Sequence, residues 1–142
     1  MDPDERFDLI VDSVIDFEGG HSLNPNDRGN WTGGKVGSGI LRGTKYGISA
    51  ASYPDLDIAN LTIPDAKGIY YRDYWLEGEC NLMPGAMAAL HFDAIVQHGL
   101  FYANEFLRAP GGAPTIFDLA TEHDVVSRVS PERRRIYVSV KE

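Results

Sequence analysis

The sequence has one cysteine, Cys80, so no disulfide can form within the chain and the stapled scaffolds of small secreted domains are excluded. It also lacks a long apolar run. Nothing approaches the ~20 residues that cross a bilayer, and no stable membrane association is expected. The opening Met1-Asp2-Pro3-Asp4-Glu5 is acidic where a signal peptide would be basic and then apolar, so the chain is expected to be made in the cytoplasm without an export signal. Basic residues are few, 13 Lys and Arg against 21 Asp and Glu, and the formal net charge of −8 repels phosphate backbones at long range. Nucleic acid is thereby set aside as a partner. His91 and His98 fall two turns apart on one helix face, but no third ligand has metal spacing and there is no H-E-x-x-H, so no zinc site is expected.

What is present is ordinary globular material: 43% hydrophobic and 24% charged residues in 142, enough to bury the core of one domain spanning 1–142, and no internal repeat. Asp2 reads as an N-cap, with Pro3, Asp4 and Glu5 in the first turn of a helix whose apolar row is Phe7, Ile10, Val11 and Val14. Steps of three and four continue that row to Glu18, where Gly19-Gly20 stops the helix. A carboxyl at the end of a buried face loses part of its hydration and keeps its proton more readily, as a general acid must. The plain alternative is an exposed Glu in a last turn.

From His21 to Gly43 the composition is that of turns, and Asn24-Pro25-Asn26-Asp27 marks a tight one. Asp27 then has two readings, a site carboxylate or a turn-former bonded to its own backbone. Scattered β-formers between Trp31 and Ile48 suggest one or two short hairpins, from which Thr44 projects. Tyr46 either lines a groove with Lys45 or caps the hairpin.

Ser49–Tyr53 is weakly helical, and a firm helix runs from the Thr62 cap to about Leu76. Ile69 belongs to its core face, while Tyr70, Tyr74 and Trp75 are open between core and ligand platform. Glu77–Leu82 is a loop that holds Cys80 as a half-buried thiol. Pro84 opens a central helix over Gly85–His98, closed by Gly99, with Met87, Leu90, Ala94 and Ile95 as its buried stripe. Gln97, at its end, either meets a ligand or caps the helix. Further helices are expected over Leu100–Arg108, Thr115–Val129 and from Ser130 on, and Arg133, Arg134 and Arg135 read as a solvated basic run.

Taken in order, Glu18-Gly19-Gly20, Asn24-Pro25-Asn26-Asp27, Gly43-Thr44-Lys45-Tyr46-Gly47-Ile48-Ser49, the Tyr70-to-Trp75 cluster and Phe92-Asp93-Ala94 to Gly99 resemble glycoside hydrolase family 108. Those proteins are bacterial and phage N-acetylmuramidases of the lysozyme superfamily, many of them endolysins. The resemblance implies a predominantly α, α+β lysozyme-like fold, with a hairpin lobe at about 21–50 and a helical lobe at about 62–142. It also implies a hydrolase that cuts peptidoglycan between N-acetylmuramic acid and N-acetylglucosamine. Glu18 matches the family's catalytic acid, and Asp27 and Thr44 match the Asp and Thr that accompany it. Tyr46, Tyr70, Tyr74, Gln97 and His98 become the candidate substrate contacts.

The chain departs from the family in three places. A Gly-rich insertion, Trp31 to Gly43, separates Asp27 from Thr44. Val96-Gln97-His98-Gly99 stands where an Asn usually precedes the glycine. The C-terminal wall-binding repeat is missing or reduced to Pro110–Thr115. The resemblance implies no metal or organic cofactor, and the expected partner is peptidoglycan, met by a monomer, with a holin-type pore for delivery if the chain is phage-encoded. Two alternatives stay open: a lytic transglycosylase, and a catalytically silent wall-binding or phage structural protein of the same fold.

Overall fold

Asp4 and Glu5 occupy the first turn of helix α1, Pro3–Val14, where acids favour the positive end of the helix dipole. The computed structural model describes residues 3–107. After α1 come a two-stranded antiparallel sheet, β1 (Thr44–Lys45) and β2 (Ile48–Ser49), and the helices α2 (Ile63–Tyr70), α3 (Gly85–His98) and α4 (Leu100–Leu107). This is a predominantly α, α+β arrangement. The helices expected over Thr115–Val129 and from Ser130, with Arg133 to Arg135, lie outside the described residues.

The described residues fall into two compact units, one of Ile15–Gly68 and the other joining Pro3–Val14 to the described chain from Ile69 to Leu107. In the second unit Phe7, Ile10 and Val11 of α1 are buried, as their spacing predicts. Phe7 sits edge-on to Tyr71 (5.1 Å) and Phe92 (5.8 Å) and tilted against Trp75 (5.6 Å), so the aromatic residues after α2 close this core. Such pairs contribute about 0.5–1.5 kcal/mol each beyond area burial. The helix expected to run to Leu76 does so, but it widens into a π-turn over Tyr71–Leu76.

Helix α3 begins after Pro84 and stops at Gly99, whose φ of +87° no side-chain-bearing residue adopts cheaply. Its burial is broader than one stripe. Ala88, Ala89, His91 and Phe92 are fully buried while Met87 and Ala94 are only half-buried, because α1, α4 and the π-turn all pack against it. Cys80 is fully buried rather than half-buried, and burial pushes its thiol up to about 12 against the opposing pull of Arg6 and a backbone hydrogen bond. Arg6 holds the loop that follows, donating to the carbonyls of Met83 and Asn81.

In the Ile15–Gly68 unit, Thr62 and Asp65 form a reciprocal cap. The Asp65 N–H donates to Thr62 Oγ1 (3.2 Å) and the Thr62 N–H to Asp65 Oδ2 (3.3 Å), which starts α2 where the sequence predicts. Ser49–Tyr53 makes a single turn, closed by the Tyr53 N–H on the Ser49 carbonyl (3.0 Å), and no helix. Ile48, Ala50, Ile58, Leu61 and Ala66 are the buried apolar residues around the hairpin.

Candidate active site

Helix α1 ends at Val14, four residues short of the expected stop at Glu18. The reason is Asp16. Its Oδ1 accepts the backbone N–H groups of Glu18 (2.9 Å) and Gly19 (3.2 Å), an alternative to helix continuation that short carboxylates offer. Glu18 therefore rides on a turn fixed by Asp16, and it is exposed. The partial desolvation expected from a buried helix face does not arise there.

Asp27 caps the short 3-10 turn Arg28–Asn30, its Oδ1 accepting the Gly29 N–H at 2.9 Å. That is the turn-forming role. The residue is exposed, so the carboxylate also meets solvent. Thr44 lies on β1, paired with Ser49 across the hairpin and bridged to Ser22 on its other side by two backbone hydrogen bonds of 2.9 and 3.0 Å. Ser22 follows Glu18 by four residues, a span of at most ~14 Å even when fully extended.

What joins these pieces is Asn30, which sequence reasoning missed. Its side chain is fully buried, receives the Thr44 hydroxyl proton on Oδ1 (2.6 Å) and donates from Nδ2 to the Asn24 carbonyl (3.0 Å). Its own carbonyl accepts both the Arg42 N–H (3.0 Å) and the Gly43 N–H (2.9 Å). The insertion is thereby looped out and pinched shut. Trp31 bridges Leu41, Thr32 Oγ1 accepts the Ile40 N–H (2.8 Å), and the chain returns to Asn30 at its base. Thr44 consequently sits beside the Asp27 turn despite the added residues between them. The only forewarning of Asn30 in the sequence is its place at the foot of that insertion.

Tyr46 and Gly47 form the hairpin turn, both with positive φ, +54° and +77°. The second is glycine, as such turns favour; the first is an aromatic residue in a region that costs about 1–2 kcal/mol. Tyr46 is half-buried, with its ring 5.8 Å from that of Phe17 and the Lys45 Nζ 5.3 Å above it, while the Lys67 Nζ lies 5.3 Å over Phe17. The residue preceding Glu18 is thus stacked on the hairpin that carries Thr44. Tyr46 both shapes the turn and keeps a partly open face.

Tyr70, Tyr74, Gln97 and His98 belong to the other unit. Tyr70 is buried, packed on Tyr74 (4.9 Å) and Phe92 (6.4 Å), and burial raises its phenol far above the ordinary range. A ring so enclosed is core, which corrects the expectation of a sugar contact. Trp75 is core as well. Tyr74 is half-buried, and Gln97 and His98 are exposed at the end of α3. Among the described residues no helix is long and apolar enough to cross a membrane, and no cluster of His, Cys, Asp or Glu has metal-binding geometry.

A predominantly helical α+β chain with a small two-stranded hairpin has a lysozyme-like fold. The family described as Glycosyl hydrolase 108 matches residues 11–99, and the chain belongs to it. Membership makes the protein a glycoside hydrolase and, at the level of the family, a muramidase-like peptidoglycan hydrolase. All eight candidate site residues lie inside the matched span. No curated protein and no solved structure matches the chain.

Proposed function

We propose that the protein is an N-acetylmuramidase that cleaves the β-1,4 bond from N-acetylmuramic acid to N-acetylglucosamine. Glu18 donates its proton to the glycosidic oxygen as the C–O bond breaks, and the N-acetylglucosamine hydroxyl leaves. Water completes the substitution at the muramic acid anomeric carbon. Asp27 receives the proton of that water or stabilises the oxocarbenium-like transition state, and Thr44 positions the water through a lone pair left free when its own proton goes to Asn30. Because Glu18 is exposed, the glycan strand itself must displace the surrounding water. The observation that supports this reading is the hydrogen-bonded frame in which Asn30 joins the Asp27 cap to Thr44, while Ser22, four residues after Glu18, pairs with Thr44 along the backbone.

One feature favours a second reading. Asp27 is engaged as a cap, and a lytic transglycosylase needs no second carboxylate, since the sugar's own hydroxyl attacks. Mass spectrometry of released muropeptides separates the two. Hydrolysis leaves reducing N-acetylmuramic acid ends; predominantly 1,6-anhydro ends, one water lighter, would replace the muramidase reading with the transglycosylase one.

A further inference from the structure

A cleft of about 350 Å³ opens in the Ile15–Gly68 unit between His21, Leu23, Ile40, Arg42, Asp57 and Ala59, and no step of the proposed cleavage uses it. Its size lies at the lower end of the ~300–1,000 Å³ of small-ligand clefts. We propose that this cleft binds the carboxylate end of a peptide, namely the stem peptide carried by the peptidoglycan strand. Naming that peptide rests on the muramidase reading, whereas the carboxylate chemistry does not.

Arg42 carries the argument. In a chain with 21 acids against 13 bases, its half-buried guanidinium makes no ion pair among the described residues. Its one hydrogen bond is a long one, Nη1 to the Leu56 carbonyl at 3.4 Å, and its Nε is buried without a partner. A cation partly withdrawn from water with no carboxylate in hydrogen-bond reach is costly, and a planar carboxylate matches its fork. A second cation stands behind the same wall, because Lys45 Nζ donates to the carbonyl of Ala59 (3.1 Å).

The other lining groups narrow the ligand from any anion to a peptide. His21 donates from Nε2 to the Arg42 carbonyl (2.7 Å), which fixes the ring and leaves Nδ1 for a ligand. Asp57 holds only the Asn60 amide, on Oδ2 (2.7 Å), so it can accept a ligand N–H, and its charge opposes a dianionic phosphate more strongly than a carboxylate monoanion. Leu23 and Ile40 are 47% and 56% exposed and supply apolar lips suited to alanine methyl groups. The geometry is built rather than incidental. A Cβ on Gly43 would fall 2.2 Å from the Ser22 carbonyl oxygen and 2.6 Å from His21 Nε2, so only glycine lets His21 take this position. Ile40 and Arg42 reach the cleft through the pinched insertion and its return to Asn30, which gives the added segment a role.

Calorimetric titration of the full chain tests this, using a stem peptide ending in free D-Ala-D-Ala, the same peptide as its C-terminal amide, and N-acetylmuramic acid. The free acid should bind, and the amide should bind about ten-fold more weakly or worse, as expected for losing one charge-assisted hydrogen bond. Arg42→Gln should weaken the free acid by a similar factor. Leu23→Glu, an exposed change that adds a like charge at the lip, should do so without touching the hydrogen bonds that hold Arg42. Equal binding of acid and amide, or unchanged binding in folded Arg42→Gln, overturns the proposal. N-acetylmuramic acid binding as tightly as the peptide overturns it too, by moving the carboxylate to the sugar. The two readings fail separately. A parent that binds the peptide but cleaves no glycan defeats the muramidase reading alone, and one that cleaves glycan without binding the peptide defeats this one alone.

Discussion

Replacing Asn30 by Ala removes a side chain that ties the Asp27 turn to the hairpin. Two hydrogen bonds go with it, from Thr44 Oγ1 (2.6 Å) and to the Asn24 carbonyl (3.0 Å). Neither orphan is left wholly bare. The Asn24 carbonyl keeps the Asp27 N–H at 3.2 Å, and the half-buried Thr44 hydroxyl can turn to water. Each bond is then worth its net value of about 0.5–1.5 kcal/mol, and the emptied, formerly sealed site adds about 1 kcal/mol, for an expected loss of about 2–4 kcal/mol. The residue's backbone bonds to Arg42 and Gly43 survive, so the insertion should stay pinched and the chain should fold. Urea denaturation would read the stability, and turbidity loss of a peptidoglycan suspension would read activity at a temperature where the variant remains native. Activity should fall with Thr44 released. A stability loss well under about 1 kcal/mol, with full activity, would show that Asn30 does not organise the site.

Three further outcomes follow from burial and from the reaction. Cys80, its thiol raised to about 12, should resist alkylation by iodoacetamide until denaturant is added, and prompt labelling of native protein would contradict its enclosure. Burial holds the His91 imidazole below its ordinary range, with the Asn104 side chain opposing, so between the unfolded and folded pKa values the unfolded chain binds more protons. Stability should therefore be intact above the unfolded value of about 6.5 and decline as pH falls towards the folded one; His91→Gln should flatten that decline, and an unchanged slope would place its cause elsewhere. Asp27→Asn keeps an oxygen for the Gly29 N–H, so it should fold normally while turnover drops strongly but less than on loss of Glu18. Parental turnover would leave Asp27 as a cap only.

How much of this was legible in the sequence depended on how local the causes were. Helix α3 could be bounded at both ends because Pro84 and Gly99 act through their own backbone, and α2 because Thr62 and Asp65 cap each other within one turn. The apolar row continues in register to Glu18 and so predicts a later end for α1, while the competing Asp16 carboxylate, which lies off that row, breaks the helix between Val14 and Glu18. A carboxylate with glycine three residues on is a readable signal, but periodicity overrode it. Asn30 looks like any turn asparagine, and its burial is set by Arg42 and Gly43 arriving from the far side of the insertion. No local pattern encodes that. Tyr70 was ambiguous for a similar reason: helical spacing puts an aromatic residue on a face without saying whether Tyr74 and Phe92 will close over it.

The proposed cleavage depends most directly on Glu18 as the proton donor. Glu18→Gln keeps the shape of the side chain and the backbone N–H held by Asp16, and removes only the ability to donate the proton. The measurement is release of soluble muropeptides from purified peptidoglycan by parent and variant at equal concentration, with thermal melting of both alongside. The variant should melt with the parent or above it and release nothing over background. Release by the variant at more than a few per cent of the parental rate would contradict it.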